Sequence, residues 1–297
     1  MPRLIGLEAP SLISSARAAG NAGAERGQGD LVHIPGTEAK TSMFAEWYDP
    51  QGATGPYRIA GNQGSCERAP KDGSVSHYEA KLFNFPSGSI RVLTWKKGVP
   101  VRHLITFETE IFVLKGVATI EPLLGSKTKP IKIAEGDALF MPAGYITNLK
   151  PTADFVLLTY LVGPTKSDAK FSLVHAKDAP ISKSVTWEEN GKIITANEPK
   201  DMKRAPKVAI RQSARRYDFD GNSIRVATFS TGGRTRSFKI SRTDVIIYVP
   251  QGRFRRKEGN QMLEVSAGDA IREKIGDEGW WEPLEENSVT IATDAPV

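Results

Sequence analysis

The chain repeats itself, and no other feature constrains its fold as strongly. Ser89-Ile-Arg-Val-Leu-Thr-Trp95 returns as Ser223-Ile-Arg-Val-Ala-Thr-Phe229, 134 residues further on (89 to 223). At the same offset Gly98 meets Gly232, Arg102 meets Arg236, Thr109 meets Thr243 and Glu110 meets Asp244. Glu135-Gly-Asp-Ala138 returns as Ala267-Gly-Asp-Ala270, now 132 residues on (135 to 267), so small insertions and deletions fall in turns. A repeat of this length is a duplicated domain and not a short solenoid unit. The 297 residues suffice for two domains, each with its own core.

Both copies read as β-structure. His77 to Phe83, Ser89 to Trp95, His103 to Phe107, Ile111 to Leu114, Ala118 to Leu123, Ile131 to Ile133, Ala138 to Met141 and Phe155 to Tyr160 are short runs rich in Val, Ile, Leu, Phe and Thr. Gly, Pro, Lys and Asp separate them, the spacing of a sandwich or barrel. Val156 to Val162 is continuously apolar, which suits a strand buried on both faces. The reading divides the chain into an N-terminal extension (1–76), partly irregular, a first β-domain (77–163), a linker (164–205) and a second β-domain (206–297). A short helix is expected over Ser11 to Ala19. In the linker, Ser184 to Trp187 and Lys192 to Thr195 form a hairpin around the turn residues Glu189-Asn-Gly191.

Composition narrows the setting. An apolar fraction of 39% and a charged fraction of 25% belong to a soluble globular chain. No apolar run is long enough to span a bilayer, and Glu8 and Pro10 interrupt the apolar residues at the N-terminus. The single cysteine, Cys66, cannot form an internal disulfide, so a cytoplasmic location is expected. Its neighbour Arg68 would lower the thiol pKa if the two approached. Basic residues gather at Lys203 to Arg216 and at Arg253, Arg255, Arg256 and Lys257. Neither cluster interleaves aromatics as single-strand binders do, so they read as a solvated linker and a solvated hairpin turn, with no nucleic-acid or membrane partner. No phosphate-binding loop, dinucleotide fingerprint, Ser-His-Asp set or Cys-X-X-Cys pair is present.

Two segments resemble the signature motifs of the cupin superfamily. Gly98, His103 and Glu110-Ile-Phe-Val-Leu-Lys-Gly116 are similar to the first motif, and Gly136-Asp-Ala-Leu-Phe-Met-Pro-Ala-Gly144 to the second. The resemblance implies an all-β fold: two RmlC-like cupin jelly-roll barrels in tandem, a bicupin, with the irregular N-terminal extension. Gly279-Trp-Trp-Glu282 is loosely similar to the second-motif ending of histidine-poor cupins of the ethanolamine-utilisation and ureidoglycine-aminohydrolase-like type.

Metal-dependent cupins hold a divalent transition metal with two His and a Glu from the first motif and one His from the second. Here His103 takes the first His position and Ile105 the second. Glu110 or Thr109 takes the Glu position, according to the spacer, and Thr147 stands where the last His belongs. A metal in the N-terminal barrel would therefore rest on His103 and Glu110 alone, below what such an ion needs. The second copy has Ser237, Lys239 and Asp244 at the corresponding places, and no histidine follows His175.

The expected function is that of a small-molecule enzyme using metal-independent acid-base chemistry (isomerase, lyase, cyclase or hydrolase type) in the N-terminal barrel. His103 and Glu110 would be its proton-handling pair, because proton transfer needs only one positioned base. Tyr145, Thr147, Arg91 and Trp95 would meet the substrate. Two alternatives stand beside it: a bicupin that binds a ligand or partner without catalysis, and a metal-dependent oxygenase with unusual ligands. Arg91 and Arg225 repeat inside apolar strands. A structural ion pair is the first reading, and a bidentate grip on a substrate carboxylate the second. Trp280 and Trp281 read as packing. A homo-oligomer is compatible with all of this.

Overall fold

The computed structural model describes residues 31–48, 57–61, 66–67, 69–71, 75–86, 88–95, 101–104, 108–122, 129–143, 146–151, 154–161, 170–219, 222–240 and 242–295. The expected helix over Ser11 to Ala19 lies outside them. Among the described residues the only helix longer than a single turn's fragment is α1 (Pro199–Met202), and none is long and apolar enough to cross a membrane.

The first half runs through β1 (Val32–Ile34), β2 (Lys40–Tyr48), β3 (Tyr57–Gly61), β4 (Ser76–Phe85), β5 (Gly88–Trp95) and β6 (Val101–Leu104). It continues with β7 (Thr109–Lys115), β8 (Val117–Pro122), β9 (Ile131–Ala134), β10 (Ala138–Met141), β11 (Ile146–Pro151) and β12 (Phe155–Leu161). The second half opens with β13 (Ser172–Val174), β14 (Ile181–Glu189), β15 (Lys192–Ala196), β16 (Ile210–Asp218), β17 (Ser223–Phe229) and β18 (Phe238–Lys239). It ends with β19 (Asp244–Gln251), β20 (Arg253–Glu258), β21 (Gln261–Ser266), β22 (Ala270–Glu273), β23 (Glu278–Pro283) and β24 (Ser288–Ala295).

Each half forms an eight-stranded sheet and a four-stranded sheet. The large sheets are ordered β13-β10-β7-β12-β5-β4-β2-β3 and β1-β22-β19-β24-β17-β16-β14-β15. The small ones are ordered β6-β11-β8-β9 and β18-β23-β20-β21. The two patterns are the same, strand for strand, and β5 and β17, which carry the repeated heptapeptide, hold equivalent places. The duplication is therefore wider than the motifs. The extension to 76 supplies β1, β2 and β3, and the linker supplies β13, β14 and β15. The hairpin of β14 and β15 turns on Asn190 (φ 51°) and Gly191 (φ 73°), both left-handed, as a two-residue hairpin turn requires.

One strand of each half is exchanged. β1 begins the chain's described part but pairs with β22 of the second half, and β13 leaves the first half yet pairs with β10. Three apolar layers result. Trp95, Ile111, Val113, Ile120, Leu139 and Leu149 lie between the first half's two sheets. Phe229, Ile247, Val249, Phe254, Ile271 and Trp281 do the same in the second. The third layer joins the large sheets of both halves: Phe83, Phe112, Phe140 and Tyr160 meet Tyr217, Phe219, Ile246 and Tyr248. Phe112 meets Tyr217 edge-on at 5.7 Å and 73°, a geometry worth about 0.5–1.5 kcal/mol beyond buried area. The phenols of Tyr160 and Tyr217 donate across the same layer to the carbonyls of Ile291 (2.8 Å) and Gly136 (2.7 Å).

Candidate functional site

Among the described residues, the interior of the first barrel is mainly apolar. Side chains alternate along a strand, so in β7 Ile111 and Val113, and Thr109 with them, face the barrel, while Glu110 and Phe112 face the other half. From the small sheet Ile120 and Leu149, register partners across β8 and β11, close the space with Met141 from β10. Trp95, expected at a substrate, is fully buried against Tyr78 and Phe155, with ring centroids at 5.1 and 5.8 Å, so its surface is spent on packing. Arg91 shares that face of β5 and forms no ion pair among the described residues, against the first reading of the repeated arginine.

Glu110 is placed otherwise than expected. It is fully buried, and its Oε2 accepts a hydrogen bond from Thr293 of the second half. Its Oε1 has no partner among the described residues. Desolvation lifts its pKa to about 7. The Thr293 hydrogen bond opposes that rise and the Asp294 charge adds to it. The repeat alignment also shifts here. Thr109 pairs with Met141 as Val245 pairs with Glu273, so the counterpart of Glu110 is Ile246 and that of Asp244 is Glu108. Glu110 is a carboxyl in an apolar interface, on the far side of the sheet from the barrel interior.

His103 lies in β6 as the backbone register partner of Thr147 in β11, which brings together two residues expected at the barrel mouth. Their side chains, and Tyr145, lie outside what the structure describes. The donor set for a cupin metal does not fit. Glu110 faces away from the barrel, and no group of three His, Cys, Asp or Glu converges among the described residues. Cys66 donates to the Met43 carbonyl at 3.4 Å, and burial pushes its thiol up, not down.

The second barrel is plugged by charge. Arg256, expected in a solvated turn, is fully buried, because β20 alternates and Phe254 and Arg256 share its inner face. Its Nε donates to Glu273 Oε1 at 2.7 Å, and Trp281 Nε1 donates to the same oxygen at 3.2 Å. Its Nη2 stands 3.5 Å from Glu258 Oε2, and Nη1 reaches the carbonyls of Lys257 and Trp280. The guanidinium lies over the rings of Phe238 (5.0 Å) and Trp281 (5.7 Å), a cation–π arrangement. Burial raises the Glu273 pKa even though Arg256 and Trp281 pull it down. A Cβ on Gly279 would overlap the guanidinium, so glycine is required there. The arrangement was missed because its signal, a Phe-X-Arg alternation, sits inside a run of basic residues.

A second arrangement was missed at the exchanged strands. Asp269 Oδ2 meets His33 Nε2 at 3.1 Å and accepts from the Ser266 N–H at 2.8 Å, while Oδ1 accepts from the Gly36 N–H at 2.7 Å. Asp137 repeats this with His175 Nδ1 (3.0 Å), Ala134 N–H (2.9 Å) and Ala176 N–H (2.9 Å). The Gly-Asp dipeptide of each second motif thus makes its turn and also ties down the strand exchanged with the other half. Burial opposes ionisation of Asp269, but the bonds from His33, Ser266 and Gly36 outweigh it and hold the carboxyl below its usual range. The signal was the tripeptide Leu31-Val-His33, repeated as Leu173-Val-His175.

The fold is similar to those of several solved structures. Over 95% of this chain and 96% of the other it matches the protein Ylba from E. coli, at a TM-score of 0.53 and 12% identity. It matches a putative glyoxylate induced protein from Pseudomonas aeruginosa over 74% and 80% of the two chains (TM-score 0.53, 10% identity). A Bacillus subtilis oxalate decarboxylase with Mn(II) centres matches over 73% of each chain (TM-score 0.52, 12% identity). No family model matches the sequence, and no curated protein is similar enough to count as a relative. The likeness is one of fold, two β-barrel halves in tandem, as the resemblance of the two sequence motifs implied.

Proposed function

We propose that this chain is a bicupin that binds a ligand or partner and performs no chemistry inside its barrels. One observation carries the reading: the described interior of each barrel is filled by the chain's own side chains. Ile120, Met141 and Leu149 occupy the first, and Arg256, Glu273 and Trp281 the second. A reaction chamber needs a concave pocket with a few convergent polar groups. In the second barrel the convergent polar groups face one another. In the first, the carboxyl offered to His103 lies across the sheet at Thr293.

The test uses the full chain. Metal analysis after loading with Mn, Fe, Ni or Zn should find less than one equivalent retained. Ligands found by thermal-shift screening should bind with unchanged affinity to His103→Ala. One tightly held metal per chain, or a ligand or turnover lost in His103→Ala, would restore the first barrel as a site of chemistry.

A further inference from the structure

Beside the second barrel the large sheet carries a recess of about 490 Å³, lined by Ser182, Lys183, Ser184, Asn197, Gln212 and Arg225. The first half shows what this place looks like when filled. The rung Phe44–Tyr78–Trp95 there corresponds to Ser184–Gln212–Phe229, and the next rung, Ser42–Ala80–Leu93, to Ser182–Ala214–Ala227. In the first half Phe44 stacks on Tyr78 at 5.1 Å and 11°, and Tyr78 packs on Trp95. In the second half Phe has become Ser, Tyr has become Gln and Leu has become Ala. Two of these smaller residues, Ser184 and Gln212, line the recess.

Its chemistry is cationic and rich in donors. Arg225 and Lys183 form no ion pair among the described residues. Arg216, Arg225's register partner, adds like charge, only partly answered by its bond to Asp218 at 2.6 Å. The Gln212 carbonyl oxygen accepts from Ser184 at 3.3 Å, so the Gln212 amide N–H groups remain as donors. The Ser182 hydroxyl donates to the Ala214 carbonyl at 3.4 Å, so both serines keep lone pairs as acceptors. A planar guanidinium with amide donors matches an oxyanion, and the serine oxygens match a hydroxyl on the same molecule.

We infer that this recess binds a small hydroxylated oxyanion, carboxylate or phosphate, gripped by the Arg225 guanidinium with Gln212 and Asn197. The inference rests on the binding reading above and gives it a site and a ligand class. Titration calorimetry of the full chain with inorganic phosphate, D-glycerate and propionate tests it. Saturable binding of phosphate alone assigns a phosphate ligand, and of glycerate alone a carboxylate. Glycerate should bind at least threefold more tightly than propionate if the serines receive its hydroxyl.

Arg225→Gln should weaken binding tenfold or more, and Asn197→Asp, on an exposed strand end, should weaken it by charge repulsion. Arg91→Gln, the same position in the filled half, should leave it unchanged. The triple variant Ser184→Phe, Gln212→Tyr, Ala227→Leu copies the filled half and should abolish binding, with circular dichroism showing a folded chain. No saturable binding of any of the three probes, or wild-type affinity in Arg225→Gln, overturns this inference alone. Binding kept in Arg225→Gln but lost in His103→Ala overturns it together with the closed-barrel reading.

Discussion

The two barrels share one strand plan and solve the same interior problem in opposite ways. At the three positions where the small sheet meets β10 or β22 of the large sheet, the first half holds Ile120, Leu149 and Met141, and the second holds Arg256, Trp281 and Glu273. The equivalence rests on register, since Ile120 pairs with Leu149 as Arg256 pairs with Trp281. The apolar set gains from burial without needing partners. The ionic set must offset the desolvation of two charges, through hydrogen bonds, two aromatic faces and a glycine that leaves room for the guanidinium. The same fold tolerates both because a closed interior asks for volume and satisfied polar atoms, not for a particular chemistry.

The comparison breaks most visibly by cutting one ion out. Glu273→Met alone leaves the Arg256 charge buried and should cost about 3–5 kcal/mol. Arg256→Ile alone strands Glu273 and should cost a similar amount. Arg256→Ile with Glu273→Met and Trp281→Leu rewrites the second interior as the first and should recover most of that loss. Urea denaturation measures all four proteins. If the triple variant is no more stable than the single ones, the two interiors are not interchangeable and the pair has a role beyond filling space.

The interface between the halves sharpens the comparison, because Glu110 stands where the second half has Ile246. With the folded carboxyl lifted to about 7, against an ordinary 4.5, ionisation disfavours folding. The stability is therefore full below pH 4.5, declines as pH rises through 4.5 to 7, and is lower by about 3 kcal/mol above that. The hydrogen-bond count agrees. The single Thr293 hydroxyl proton faces two acceptors, Glu110 Oε2 and the Ser223 carbonyl at 3.3 Å, and a protonated Glu110 could donate to the hydroxyl instead. Glu110→Gln should be more stable than the parent at pH 8 by up to about 3 kcal/mol and should lose that pH dependence. Equal stability of the two proteins at pH 8 would show that water reaches Glu110.

Much of the fold was legible, and for a physical reason. Strand runs, turn glycines and the Gly-Asp dipeptides are local, and duplication displays them twice. Facing was not legible. Thr109 to Lys115 is apolar on both sides because its sheet is covered by the barrel on one face and by the other half on the other, so the period-two signal disappears. That is why Glu110 could be read toward His103 when it faces Thr293. Arg256 was hidden by its charged neighbours, since a basic run reads as solvated until the strand's alternation is imposed. The exchanged strands were hidden by distance: β1 pairs with residues more than 230 positions away, and no local pattern announces that.

The latches are where the halves agree, so they test the duplication most directly. Asp137 and Asp269 each accept two backbone N–H groups and face one histidine. Asparagine at either place keeps one acceptor oxygen but turns an amide N–H₂ toward a backbone donor and removes the charge. Each substitution should cost about 1–2 kcal/mol, the scale of one lost charge-assisted hydrogen bond and one unsatisfied buried donor. The Asp269 carboxyl lies below its usual range, so its contribution is present above that range and is lost as pH falls through the lowered value. Asp269→Asn should thus be less stable than the parent at pH 7 and converge with it in strong acid, whereas Glu110→Gln should be more stable than the parent at pH 8 and converge with it below pH 4.5. Hydrogen exchange locates the effect: Asp269→Asn should speed exchange at Gly36 and along β1 and β22, and Asp137→Asn at Ala176 and along β13 and β10. If one substitution costs several times the other, or if exchange rises only in the turn and not in the exchanged strand, then the Gly-Asp motif serves its own hairpin and the strand exchange is held by the apolar layer between the halves.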